Sequence, residues 1–241
     1  MIGIIGGNGV AATNKLCELI EEQITRKGGF RDAHHPEMLI WQATKAPSRS
    51  MYFEGRGDSF IDDYVRIGKM MKDNGVKLLS MCCNTAHIVV DELEERIGLP
   101  FINLLQEVAT DIATKKVKKV GIMCSDGLRK FGTYDKVILE TCPAIEIVYP
   151  DLDFQKLVTK GICNAKNNNR FTLETDEENP YYLFSKVVEH LKDKGCDCVV
   201  AGCTDIRNVY YNQSASDLIY IDSLEVLANT IVKKFKEDES Y

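Results

Sequence analysis

Two cysteines in this sequence follow short apolar runs and are placed where a thiol can take part in acid–base chemistry. Cys83 follows the run 76–82 and begins Cys-Asn-Thr, whereas Cys203 follows the run 196–202 and begins Cys-Thr-Asp. A thiol that titrates near neutral pH can remove or donate a carbon-bound proton. We therefore expect one thiol to take a proton from a bound molecule while the other donates a proton to the opposite face.

The position of each thiol predicts a setting that favours negative charge. Each is expected between the end of a strand and the start of a helix, where backbone N–H groups point outward and the helix dipole favours an anion. Such a setting lowers a thiol pKa and also binds a carboxylate. One of nine cysteines can fall at a strand end by accident, so the argument depends on the two positions being matched.

An internal repeat supplies that match. A short strand opens each half, and placing Gly3 on Gly121 gives an offset of 118 residues. A helical segment then ends at Gly75 and another at Gly195, an offset of 120, and glycine suits the left-handed position after a helix. In both halves the cysteine follows this glycine by eight residues. The two cysteines therefore occupy equivalent positions.

The repeat also predicts the fold. Asn103 and Asp222 continue the match at an offset of 119 residues. Strands that alternate with helical stretches indicate mainly parallel sheets covered on both faces, so we expect an α/β protein with two pseudosymmetric parallel-sheet lobes. The expected parts are an N-terminal lobe at 1–105, a C-terminal lobe at 106–215, and a C-terminal helix at 216–241 that packs back on the first lobe. Ligands of open α/β sheets bind beyond the carboxyl ends of strands, which predicts that Cys83 and Cys203 face each other across an interlobe cleft.

Composition and charge argue against several other classes of protein. The 241 residues are 44% hydrophobic, which is enough for a packed core. The formal charge is −6, and no basic stripe suggests a nucleic-acid partner. The N-terminus lacks the basic region of a signal peptide, and no apolar run approaches the ~20 residues that span a bilayer. We expect a cytoplasmic protein without a membrane partner, with its cysteines reduced.

Three segments together resemble the aspartate/glutamate racemase family, and in particular its aspartate racemase branch. They are Gly6-Gly7-Asn8-Gly9-Val10-Ala11-Ala12-Thr13, Cys83-Asn84-Thr85-Ala86-His87 and Gly202-Cys203-Thr204. The resemblance extends over essentially the whole chain. It implies two pseudosymmetric α/β domains, a small acidic amino acid as substrate, a two-base reaction without pyridoxal phosphate, metal or other cofactor, and a homodimer.

The resemblance also assigns roles to individual residues. Cys83 and Cys203 become the base and the acid. Which thiol takes which role depends on whether the L or the D enantiomer is bound. Arg49 and, across a one-residue gap in the match, Lys166 would bind the second carboxylate. Asp205 stands where the family commonly has glutamate or histidine, so its shorter side chain shifts the expected contact with the substrate ammonium. The expected substrate-binding residues are Asn8, Arg49, Asn84, Thr85, Lys166, Thr204 and Asp205.

Because of other departures from the family pattern, the resemblance does not determine which amino acid is the substrate. Asn8-Gly9-Val10 replaces Met-Gly-Pro in the first loop, and Ser125 and Leu128 replace two threonines in a loop of the second half. Glutamate or another amino acid is an alternative substrate on the same fold. A non-catalytic binding protein is the alternative from a different class, although binding alone needs no thiol on each side.

Rival sites are less well supported by the sequence. Gly7-x-Gly9-x-x-Ala12 fits a dinucleotide fingerprint, but the second strand ends at Gln42 where an acidic residue is expected. The spacings Cys196-x-Cys198 and Cys82-Cys83 do not suit zinc. His87 lies one helical turn after Cys83, where it either tunes the thiol or packs structurally, and the structural role is favoured.

Overall fold

A computed structural model describes residues 1–211 and 218–238, without the side chain of Asp238. The helices and strands of the first half are β1 (Ile2–Gly6), α1 (Val10–Arg26), β2 (Met38–Gln42), α2 (Arg49–Phe53), α3 (Ile61–Asp73), β3 (Leu78–Met81), α4 (Val90–Ile97) and α5 (Leu104–Thr114). Those of the second half are β4 (Lys119–Cys124), α6 (Asp126–Phe131), α7 (Thr133–Thr141), β5 (Glu146–Val148), α8 (Leu152–Asn164), α9 (Pro180–Asp193), β6 (Cys198–Gly202), β7 (Ile219–Asp222) and α10 (Ser223–Asp238).

Two parallel sheets organise these elements. The first has the strand order β2-β1-β3 and the second has the order β5-β4-β6-β7. A parallel bridge between Leu79 and Phe101 adds one pairing beyond β3, at the position that β7 holds in the second sheet. The two sheets therefore follow the same plan, and the predicted α/β fold of two parallel-sheet lobes is confirmed.

The repeated glycines explain why the strands that carry the cysteine motifs begin where they do. Gly75 follows α3 with φ of 91°, and Gly195 follows α9 with φ of 81°. This left-handed conformation is readily adopted by glycine and ends a helix sharply. The chain then turns directly into β3 or β6, and the predicted equivalence of the two turns is confirmed.

The C-terminal segment differs in part from the expectation of a helix at 216–241. Ile219–Asp222 forms strand β7, which pairs in parallel with β6, and helix α10 begins only at Ser223. The Asp222 carboxylate accepts a hydrogen bond from the backbone N–H of Leu224, so the strand ends in a residue that caps the helix. The expected boundary between residues 215 and 216 lies outside the described residues.

One apolar core is shared by the two lobes. Leu16 of α1, Val108 of α5 and Leu227 of α10 belong to a single buried cluster with Ile4 of β1 and Ile122 of β4. Helix α10 packs against both α1 and α5, so the last described helix contacts the first lobe. No helix within residues 1–211 or 218–238 is both long and apolar enough to cross a membrane.

Candidate active site

The loops that carry the two cysteines touch each other at the carboxyl ends of strands β3 and β6. Cys83 lies two residues after β3, and Cys203 directly follows β6. The Thr204 hydroxyl donates a hydrogen bond of 3.2 Å to the backbone carbonyl of Cys82. Both Cys83 and Cys203 are free, partly exposed thiols. The residues that flank the two thiols are therefore joined directly across the lobes.

The segments after the cysteines are not the expected helices. A 3₁₀ turn at Thr85–Val89 follows the first motif, and another at Ile206–Asn208 follows the second. Such short turns align few peptide dipoles. Burial, together with the negative charge of Asp205, raises the pKa of Cys203 to about 12. The expectation of a lowered pKa is therefore wrong for Cys203, which rests as a neutral thiol.

Asp205 is the buried carboxylate that connects this thiol to the rest of the site. Its Oδ2 atom lies 3.9 Å from the Sγ atom of Cys203 and 2.9 Å from the Nζ atom of Lys166. Burial raises the pKa of Asp205, and the ammonium of Lys166 opposes that rise. A Cβ atom at Gly9 would lie 1.9 Å from Asp205 Oδ1. The first loop therefore approaches the carboxylate so closely that any side chain at position 9 would displace it from its present position.

Lys166 reaches from the end of α8 toward the first lobe. Besides its ion pair with Asp205, its Nζ atom donates a hydrogen bond of 3.4 Å to the backbone carbonyl of Asn8. Desolvation lowers the pKa of Lys166, but the charge of Asp205, its hydrogen bond to Lys166 and the nearby thiols together more than offset it, so the pKa of Lys166 is raised. The Lys166 side chain remains 45% exposed, so a ligand can reach its charged end.

Arg49 is the second cation of the site and lies at the first position of α2. Its Nη1 atom donates hydrogen bonds to the backbone carbonyls of Ala46, at 3.4 Å, and Pro47, at 2.9 Å. Its Nε atom is buried and has no hydrogen-bond partner among the described residues. The local loop therefore holds the guanidinium in place and leaves one donor unsatisfied.

Asn8 offers a second unsatisfied donor. The Tyr64 hydroxyl donates to Asn8 Oδ1, whereas Asn8 Nδ2 is buried without a partner among the residues that the structure describes. Asn8, Arg49, Lys166 and Asp205 all line one cleft of about 850 Å³. Neither cysteine forms part of its wall, and the contact between Cys203 and Asp205 connects the thiol to it.

The remaining predicted contacts have partners within the protein. Asn84 is buried, its Oδ1 atom accepts a 2.6 Å hydrogen bond from Tyr134, and its Nδ2 atom donates a 3.0 Å hydrogen bond to Ser223. The hydroxyls of Thr85 and Ser125 lie 2.8 Å apart. These side chains join the loop after Cys83 to the second half of the chain.

His87 contacts the protein backbone. Its Nδ1 atom lies 2.8 Å from the carbonyl oxygen of Cys83, and its Nε2 atom lies 3.3 Å from that of Ile102. Burial lowers the pKa of His87 below its ordinary value. The side chain therefore braces the cysteine loop, which agrees with the structural role favoured from the sequence.

Sequence reasoning missed four polar residues that shape this site. Ser125 was noted only as a departure from the family pattern, and no local pattern identifies the other three because each acts through a contact far away in the chain. These residues are Tyr64, Ser125, Tyr134 and Ser223.

Two parallel α/β lobes, each with a thiol just after the carboxyl end of a strand, fit the class of two-lobed α/β racemases. The family model described as Asp/Glu/Hydantoin racemase matches residues 2–231. The chain belongs to this family, as its sequence predicts, and family membership makes it an isomerase.

Relatives in this family differ in the substrates that their names state. The chain is 23% identical over 238 residues to the broad specificity amino-acid racemase RacX of Bacillus subtilis, with 98% of each chain covered. It is 25% identical over 199 residues to a glutamate racemase of Picosynechococcus, with 80% of this chain and 66% of that one covered.

Solved structures show the same fold. The aspartate racemase of Picrophilus torridus aligns with a TM-score of 0.82 at 22% identity, covering 98% of this chain and 94% of that one. The glutamate racemase RacE1 of Bacillus anthracis aligns with a TM-score of 0.64 at 18% identity, covering 99% and 82%. Both similarities extend over both lobes.

Proposed function

We propose that this protein is a cofactor-independent racemase that interconverts L- and D-aspartate by proton transfer between Cys83 and Cys203. The observation that carries the proposal is the hydrogen bond from Thr204 to Cys82. Each of its two residues is the direct neighbour of one thiol, so the bond keeps the thiols of the two lobes close to one site. Two thiols facing one carbon from opposite sides are what a two-base reaction requires.

The charges around the cleft favour an acidic amino acid. Arg49 and Lys166 supply two positive charges, and ionised Asp205 supplies one negative charge. Aspartate carries two carboxylates and one ammonium, so its net charge of about −1 complements this set. The cations and the unpaired donors suit the carboxylates, and Asp205 suits the ammonium. A neutral amino acid would leave one positive charge uncompensated.

The pKa of Cys203 bears on the first step of the proposal. Because burial raises the pKa of Cys203 to about 12, we assign Cys203 as the acid in this direction and Cys83 as the base that removes the Cα proton. The electron pair of the broken C–H bond delocalises onto the α-carboxylate, and Cys203 donates its proton to the other face of the carbon. A substrate ammonium beside Asp205 offsets the charge that opposes thiolate formation, which allows Cys203 to act as the base in the reverse direction.

A broader substrate range is the second candidate. The relative that matches 98% of the chain is named a broad specificity racemase, and a cleft of about 850 Å³ leaves room for glutamate or a longer side chain. A cytoplasmic location and a homodimer, both expected from the sequence, remain parts of the proposal.

Exchange of the Cα proton in D₂O, followed by NMR, tests the function directly. L- and D-aspartate and L- and D-glutamate are incubated with the fully reduced wild type and with Cys83→Ala, Cys203→Ala and Cys163→Ala. We expect wild type and Cys163→Ala, which removes an exposed thiol, to racemise aspartate without added cofactor. Each of the other variants should lose about 10²–10⁴-fold in rate. Failure of the wild type to exchange any amino acid would contradict the proposal and favour a binding protein.

A further inference from the structure

Asn8 and Tyr64 form a buried pair beside the cleft that the proposed proton transfer does not use. Tyr64 is fully buried, and Asn8 is 4% exposed in the wall of the cleft. The Tyr64 hydroxyl donates to Asn8 Oδ1, whereas Asn8 Nδ2 has no partner among the described residues. Asn8 also stands where the resembled family often has methionine.

The hydrogen bond determines which way the Asn8 amide points. In the observed orientation the phenol proton has an acceptor, and only Asn8 Nδ2 is left unpaired. In the reversed orientation the amide N–H would donate to the phenol oxygen, and both the phenol proton and Asn8 Oδ1 would lose their partners. Unpaired buried polar groups are costly, so the observed orientation is favoured. Burial also raises the pKa of Tyr64 well above its usual value, which keeps the phenol proton in place.

The Asn8 side-chain NH₂ group that this contact orients is a hydrogen-bond donor, and the cleft contains a second unsatisfied donor. Arg49 lines the same cleft, and its Nε atom is also buried without a partner among residues 1–211 and 218–238. Two unsatisfied donors suit the oxygen atoms of a carboxylate and do not suit an ammonium group. We infer that Tyr64 is a positioning residue that orients the Asn8 amide so that its NH₂ group binds a carboxylate of the substrate. This inference rests on the proposed function and deepens it.

The surroundings of Tyr64 allow the hydroxyl to be tested apart from the ring. The Tyr64 ring packs edge-on against Phe60 with centroids 4.9 Å apart, and the Tyr52 ring packs against the same phenylalanine at 5.7 Å. Tyr64→Phe keeps this packing and removes only the donor to Asn8. Tyr52→Phe removes a hydroxyl from the same aromatic cluster without touching Asn8, so it is a matched control.

Steady-state kinetics with aspartate separate positioning from a structural role. We expect Tyr64→Phe to raise KM about tenfold with kcat nearly unchanged, since one hydrogen bond to the substrate loses its alignment. Asn8→Ala should raise KM at least as much, and Tyr64→Phe should add nothing in the Asn8→Ala background. Tyr52→Phe should behave as wild type. An unchanged KM in Tyr64→Phe, or additive effects in the double variant, would overturn the inference.

NMR of the Asn8 side-chain amide tests this inference separately from the proposed reaction. In protein labelled with ¹⁵N-asparagine, the side-chain amide signal of Asn8 is identified by its loss in Asn8→Ala. We expect aspartate to shift this signal in wild type, and we expect Tyr64→Phe to move the signal and weaken its response to aspartate. An Asn8 signal that is identical in wild type and Tyr64→Phe, or that saturating aspartate leaves unmoved, refutes the inference. If aspartate shifts the Asn8 signal as expected but is not racemised, the proposed reaction is refuted and the inference about Tyr64 and Asn8 stands.

Discussion

The hydroxyl of Thr204 donates a hydrogen bond of 3.2 Å to the backbone carbonyl of Cys82, and each of these residues adjoins one of the paired thiols. The bond connects the loop after β3 to the loop after β6. It is buried, so it is shielded from exchange with solvent. The Thr204 side chain therefore helps to set the relative position of the two thiols, together with the contacts of Asn84 with Ser223 and of Thr85 with Ser125.

Replacing that side chain is expected to affect both stability and turnover. Thr204→Val keeps the shape but removes the donor, so it should lower the free energy of unfolding by about 1 kcal/mol and reduce kcat as the thiols lose their alignment. Thr204→Ser retains the hydroxyl and is the control. Urea unfolding and steady-state kinetics measure the two effects. Equal behaviour of the valine and serine variants would show that the bond is dispensable.

The guanidinium of Arg49 is expected to contribute mainly to substrate binding. Arg49→Ala should raise KM for aspartate by about 10–100-fold, because a charge-assisted contact with a carboxylate is lost. Arg56→Ala serves as the control, since Arg56 is an exposed arginine that pairs with Glu54, and it should leave KM unchanged. Initial rates over a range of aspartate concentrations measure both. A normal KM in Arg49→Ala would remove Arg49 from the site.

Asp205 is expected to control the pH at which Cys203 ionises. Burial and the charge of Asp205 together raise the pKa of Cys203 to about 12. Asp205→Asn removes that charge, so the pKa of Cys203 should fall. In the direction in which Cys203 acts as the base, the rise of kcat/KM with pH should then occur at lower pH.

The same variant should bind aspartate less well, because the carboxylate that faces the ammonium is gone. Profiles of kcat/KM against pH for both enantiomers test the two effects together, with Asp205→Glu as the variant that retains the charge. If Asp205→Asn leaves the rising limb in place for both enantiomers, Asp205 does not act on the thiol.

His87 should make the fold less stable in mild acid. Burial lowers its pKa in the folded protein, so the unfolded chain takes up a proton more readily as pH falls below about 6.5. Stability contributed by neutral His87 is therefore present near pH 7 and above and is lost as pH decreases, with a slope of at most about 1.4 kcal/mol per pH unit for one proton.

Urea unfolding at pH 7.5, 6.5 and 5.5 measures this slope. His87→Gln should show a flatter dependence than wild type over this interval, and His35→Gln, which changes a histidine in a loop, should keep the wild-type slope. Parallel slopes in wild type and His87→Gln would indicate that other groups account for the acid sensitivity.

The features that were predictable from the sequence are local ones. Gly75 and Gly195 have positive φ angles because each ends a helix before a buried strand, and both requirements can be read from a few neighbouring residues. The spacing from these glycines to Cys83 and Cys203 then fixes where the thiols emerge. The fold of two parallel-sheet lobes follows from such patterns, which recur in each half of the chain.

The directions of side chains were less predictable because they depend on distant partners. Asn84 turns toward Tyr134 and Ser223, which lie 50 and 139 residues away in the chain. The pKa of Cys203 was predicted in the wrong direction because burial and the orientation of Asp205 emerge only when the lobes pack together. Sequence spacing indicates which residues lie near the site. The hydrogen-bond partners and pKa shifts of their side chains depend on how distant parts of the chain pack together.

The close approach of Gly9 to Asp205 restricts the order in which this site can change by mutation. A Cβ atom at position 9 would lie 1.9 Å from a carboxylate oxygen of Asp205, so Gly9→Ala requires that carboxylate to move away from Lys166. A smaller residue at position 205 would relieve the clash and act as a permissive substitution for a side chain at position 9. The two positions, 196 residues apart, are thus coupled through space, and an engineered library should vary them together.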